Sequence, residues 1–140
     1  MRCFCEDEDG NILIGTKGSG IKLLNPATKE LTDYLNESKG LISNSVYALR
    51  RNKANDIFIG TEGTGINILN AATGQLEKLE IPDKYPPFKA VYNIYFTNND
   101  SLLWVGTSGY GLIKINISRE QVVITLKDSG NIIRRIRISH

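Results

Sequence analysis

Ile14-Gly-Thr-Lys-Gly-Ser-Gly-Ile-Lys-Leu-Leu-Asn25, Ile59-Gly-Thr-Glu-Gly-Thr-Gly-Ile-Asn-Ile-Leu-Asn70 and Val105-Gly-Thr-Ser-Gly-Tyr-Gly-Leu-Ile-Lys-Ile-Asn116 are three copies of one phrase. The copies start at positions 14, 59 and 105, so the period is 45 and then 46 residues. A repeat of that period is one supersecondary unit copied in tandem.

The middle copy shows the unit best. Before it, Ser45-Val-Tyr-Ala-Leu-Arg-Arg51 alternates apolar and polar residues, the period-two mark of a strand. Asn52–Asp56 is a polar turn cluster, and Ile57–Thr61 is a second short run of β-formers. Gly63-Thr-Gly65 supplies a tight turn, and Gly65–Asn70 a third strand. Ala71–Gly74 turns the chain again, and Gln75–Ile81 is a fourth, polar-alternating strand. Four short antiparallel strands per 45 residues are the blade of a β-propeller. No segment shows a 3.6-residue apolar period, which excludes a helical solenoid.

The expected fold is therefore all-β, with about three four-stranded antiparallel blades and one extra strand. The blades fall at 1–36, 45–81 and 90–126, and 131–139 reads as the first strand of a further blade. Within each blade the strands are lettered A to D. Propellers hold 4–8 blades, so the chain is expected to be part of a larger propeller. Its remaining blades, or self-association through open edge strands, would complete it. Leu13, Phe58 and Trp104 share one slot of the second strand. All three are expected in the core between blades.

Composition excludes several classes. The 140 residues are 41% hydrophobic and 23% charged, ordinary for a folded domain. A net charge of +2 is too mild for a nucleic-acid partner, and Arg134, Arg135 and Arg137 read as a solvated strand face. No apolar run approaches the roughly 18 residues of a membrane span. Met1-Arg-Cys-Phe-Cys-Glu-Asp has no apolar h-region, so no signal peptide is read and the chain expressed alone would be cytoplasmic. The two cysteines, Cys3 and Cys5, read as small apolar strand residues, with no disulfide framework and no metal site.

The chemistry-bearing motifs reduce to turns. The Gly-rich phrase is followed by a strand, not by a helix N-terminus, so it is no phosphate loop. The single histidine, His140, is terminal and assembles no triad. Glu6, Asp7, Glu8 and Asp9 could supply a carboxylate pair, but they stand in an A–B turn and read as solvated. No catalytic residue and no cofactor is expected.

Topology narrows the place for a ligand. The B–C turns and D–A loops open on one face. Candidate contacts there are Lys17, Glu62 and Tyr110 in the turns, with Tyr85 and Lys89 in the loop containing Pro86 and Pro87.

Leu103-Trp-Val-Gly-Thr-Ser-Gly-Tyr-Gly-Leu112, Asp9-Gly-Asn-Ile-Leu-Ile-Gly-Thr16 and Gly40-Leu-Ile-Ser-Asn-Ser-Val-Tyr-Ala-Leu49 together resemble the two-component regulator propeller repeat. That family is typified by Gly-Leu-Ser-Asn-Asn-x-Val, Asp-Gly-Asn, Leu-Trp-Ile-Gly-Thr and a Gly-Leu pair. The departures are Leu13 and Phe58 for Trp, and Lys53–Asp56 for Asp-Gly-Asn. The resemblance implies a fragment of the periplasmic sensor propeller of a hybrid two-component regulator. In such a parent, oligosaccharide breakdown products are sensed and the signal passes to a histidine kinase in regions absent here. The chain itself would be non-catalytic.

Two other functions compete. One is a protein-interaction scaffold. The other is a quinoprotein-type propeller enzyme, because Asn70-Ala-Ala-Thr-Gly74 looks like that family's Asp-x-x-Thr-Gly segment. That segment needs a Trp four residues after the Gly, where this chain has Lys78.

Overall fold

The structure, a computed structural model, describes residues 3–79, 89–108, 111–117, 121–127 and 133–138. It is all-β and forms three antiparallel sheets. The first holds β1 (Cys3–Glu6), β2 (Ile12–Gly15), β3 (Ile21–Asn25) and β4 (Glu30–Leu35), in that order. The second holds β5 (Val46–Arg51), β6 (Ile57–Thr61), β7 (Ile66–Leu69) and β8 (Leu76–Lys78). The third runs from β9 (Lys89–Thr97) through β10 (Leu102–Ser108) and β11 (Leu112–Asn116) to β12 (Gln121–Lys127) and β13 (Ile133–Ile138).

The last strand differs from the expectation for 131–139. Ile133–Ile138 does not open a separate sheet but pairs antiparallel with β12, Ile136 opposite Ile124, and makes a fifth strand of the third sheet. The outer edge of β12 presents unpaired backbone donors and acceptors, and a hairpin satisfies them by the shortest route.

Sheets stack face to face, with β5 adjoining β1 on one side and β9 on the other. Side-chain alternation therefore splits the middle sheet between two cores. Leu13, Ile21 and Leu35 of the first sheet meet Val46, Leu49, Ile57 and Ile59 of the second. Ala48, Phe58 and Ile66, on the other face of the second sheet, meet Val91, Ile94, Leu103 and Val105. Phe58 also packs edge-on against Phe96, with ring centroids 4.9 Å apart. Burying such a side chain stabilises by roughly 1.5–3 kcal/mol.

Leu13 and Phe58 are core residues, as the shared slot requires. Trp104 is the correction. Its neighbours Leu103 and Val105 point into the second core, so Trp104 points to the other face, where no fourth sheet lies among the described residues. It is only partly buried. Its indole Nε1 donates to Thr97 Oγ1 at 2.9 Å, and Lys114 Nζ stands 5.5 Å from the ring centroid.

Cys3 and Cys5 pack partly buried against the first core, in the apolar role expected of them.

Candidate functional site

The repeated Gly-Thr-x-Gly-x-Gly phrase has two jobs. The threonine closes the turn on itself. Thr16 donates through both N and Oγ1 to Gly20 O, and Thr107 does the same to Gly111 O. The glycines then hold the chain arriving at the next sheet. Gly18 N and Gly20 N both donate to Asn44 O, at 3.1 and 2.8 Å, and Val46 N donates to Thr16 O at 2.8 Å. Gly18 and Gly20 have φ of +97° and +72°, the left-handed region that glycine tolerates. The motif is a seam between sheets, and in the first copy the Gly18 and Gly20 N–H groups are taken by the Asn44 carbonyl rather than offered to a phosphate.

Three of the five expected contact residues lie on that seam. Lys17 forms an antiparallel bridge to Ser45, and Glu62 N donates to Ser45 O at 2.9 Å. Lys89 bridges to Thr64. All three are exposed, at the B–C turn end of the sheets. Tyr85 and Tyr110 lie outside the described residues.

The structure adds a feature that the sequence reading missed. Tyr47 and Tyr92 stack with ring centroids 5.0 Å apart and planes tilted by 40°. Both sit where register slips. Val46 pairs with Thr61 and Ala48 with Gly60, so Tyr47 is the extra residue. Val91 pairs with Thr107 and Asn93 with Gly106, leaving Tyr92 as the extra residue. A bulge re-aims a side chain out of the alternating pattern. Both residues belong to β5 and β9, the first strands of their sheets, and lie near the same turn end as Lys17, Glu62 and Lys89. Tyr92 is 46% exposed. The signal for this pair was present as a Val-Tyr doublet repeated 45 residues apart, at 46–47 and 91–92.

The opposite end is built from turns tied to one another. Asp7 Oδ1 accepts from Asp9 N and Asn11 N, both at 2.9 Å, which fixes the first A–B turn. Asn55 Nδ2 reaches Glu8 Oε2 at 3.2 Å, and Lys53 N reaches Asp100 Oδ2 at 2.6 Å. Asp7 and Glu8 thus tie turns together. Tyr34 lies nearby, and burial, with the Asp7 charge second, pushes its hydroxyl up from the ordinary value. No group of His, Cys, Asp and Glu that could hold a metal occurs among the described residues.

The quinoprotein-like segment is turn chemistry too. Asn70 Oδ1 accepts from Ala72 N at 2.9 Å and Thr73 N at 3.2 Å. Asn25 makes the same bonds to Ala27 N and Thr28 N in the first sheet.

Residues 1–18 match the family profile described as Two component regulator propeller. Those residues carry a copy of that propeller repeat. No curated protein matches it. Among solved structures, it resembles the extracellular domain of a B. thetaiotaomicron protein described as a one component system, at 20% identity and TM-score 0.69. The match covers 96% of this chain and 19% of that one. A second B. thetaiotaomicron extracellular domain, of a hybrid two component system, matches at 20% identity and TM-score 0.66, over 88% of this chain and 19% of that one. Kuenenia stuttgartiensis hydrazine synthase matches at 12% identity and TM-score 0.54, over 97% and 45%. At these identities the likeness shows the fold, a propeller-type domain. The repeat-bearing chain spans about a fifth of the two B. thetaiotaomicron domains.

Proposed function

We propose that this chain is part of the ligand-sensing propeller of a hybrid two-component regulator, non-catalytic in itself. Its parent lies in the periplasm and signals oligosaccharide breakdown products to a histidine kinase. Blades at 1–36, 45–81 and 90–126 belong to this reading. The family match over residues 1–18 and the likeness to extracellular domains of signalling systems support it.

The observation that carries the ligand class is the Tyr47–Tyr92 pair. Two phenol rings side by side at the turn end that also carries Lys17, Glu62 and Lys89 offer apolar faces and polar hydroxyls together. Sugar rings present the same mixture of C–H faces and hydroxyl edges. Aromatic residues with a polar tip suit such half-wet contacts.

Isothermal calorimetry with a panel of neutral and acidic oligosaccharides tests the reading on the wild-type chain and on Tyr92→Ala. The expected result is binding by one glycan class, weakened about fivefold by loss of a ring worth ~1 kcal/mol. Binding of no glycan, or equal binding by Tyr92→Ala, overturns the assignment of this site.

A further inference from the structure

The three sheets meet through their first strands, β1 with β5 and β5 with β9. Those strands converge on the inner side of the fan of sheets, the side that a propeller turns toward its central channel. Arg50 of β5 reaches β9 across the seam between the second and third sheets. Both sheets belong to this chain, so the seam itself does not depend on blades before or after it.

Arg50 is held in a fixed pose. Its Nε donates to the Ile94 backbone oxygen at 3.1 Å. Its guanidinium carbon lies 5.1 Å from the centroid of the Tyr95 ring, a cation–π contact. The bond through Nε leaves both Nη groups of the fork. Among the described residues no carboxylate or carbonyl takes them, and Arg50 is exposed. Arg51 shows the contrast, because its Nη1 donates to Asp7 O at 2.9 Å. A guanidinium whose pose is set in advance loses little freedom when it takes a planar, two-oxygen anion.

The repeat places this fork beside the phenol pair. Tyr47 and Tyr92 occupy one position of two repeats, and Arg50 and Tyr95 occupy another, three residues further along the same strands. Three strand residues advance roughly 10 Å. One short oligosaccharide can therefore touch both. The phenols supply ring faces without charge, and Arg50 supplies the charge.

We propose that the ligand is an acidic oligosaccharide. One sugar ring rests on Tyr47 and Tyr92, and the carboxylate of a uronic acid residue accepts two N–H bonds from Arg50. Tyr95 is a positioning residue that acts through Arg50. The inference rests on the sensor reading and narrows its glycan class.

Calorimetry on the full 140-residue chain, with uronic-acid oligosaccharides and their carboxyl-reduced counterparts, tests it. The acidic form is expected to bind about tenfold more tightly, as hydrogen bonds to a charged group allow. The difference is expected to shrink at high salt. Arg50→Gln is expected to bring the two forms to equal affinity. Arg50→Lys keeps the charge, loses the fork and recovers part of the difference. Tyr95→Ala is expected to narrow the difference as well, which a merely structural role would not do. Circular dichroism checks that each variant is folded. Equal binding of the two forms by wild type, or a difference that survives Arg50→Gln, overturns the inference and leaves the sensor reading standing. Binding of neither form overturns both.

Discussion

Val91 Cγ1 lies 2.6 Å from the point where a Cβ on Gly60 would stand, and the Val91 carbonyl oxygen lies 2.8 Å from it. Two sheets approach that closely only because Gly60 has no side chain. Gly60→Ala must push the third sheet outward or distort β6. Overpacking of a closed core costs about 1–3 kcal/mol. The unfolding free energy extracted from a urea titration is expected to fall by that amount relative to wild type.

Asn67 predicts a second kind of loss. It is 1% exposed, with Oδ1 accepting from Ile42 N at 2.8 Å and Nδ2 donating to Gly40 O and Glu77 O. The side chain ties the segment between the first two sheets to β7. Asn67→Leu removes those bonds and leaves the Ile42 N–H without this partner, at about 1–3 kcal/mol. Hydrogen exchange at Ile42 is expected to accelerate more than exchange at the centre of β6.

The shared slot of Phe58 and Trp104 makes a paired comparison. Phe58→Ala opens a cavity in a closed core and is expected to cost about 3–5 kcal/mol. Trp104→Ala removes a partly exposed ring and is expected to cost less, at concentrations where the chain is monomeric. Equal losses, read by thermal denaturation at low concentration, would mean that Trp104 is covered in solution.

Cys5 gives a pH prediction. Burial pushes its thiol up from the ordinary value of 9.0, against the lowering pull of Arg51 and Arg50. The folded chain therefore holds this proton more tightly than the unfolded chain. The linked stability is complete below pH 9.0 and is lost as pH rises through the folded value. Wild type is expected to lose stability faster than Cys5→Ala above that pH. Alkylation of Cys5 by iodoacetamide at pH 8 is expected to be slower in the folded chain than in urea.

Strand positions were legible because strand alternation and turn chemistry are local. Gly63 and Gly65, Asn25 and Asn70, and the spacing of Leu13, Phe58 and Trp104 each carry their meaning within a few residues. The Tyr47–Tyr92 pair was not legible as a site. Its aim depends on a one-residue slip in two separate strands, and alternation read from sequence assumes that no slip occurs. Asn67 escaped for a related reason. It looks like any polar strand residue until Gly40, Ile42 and Glu77 converge on it.

The sequence by itself determined the repeated four-stranded unit and the place of its turns, because φ-permissive glycines and period-two alternation act through near neighbours. Only the tertiary structure decided which faces are covered. Leu13, Phe58 and Trp104 occupy one slot in three copies, yet two are core and one stands half open. Burial is a property of the next sheet, and β13 adds to the outer edge of the third sheet instead of covering Trp104.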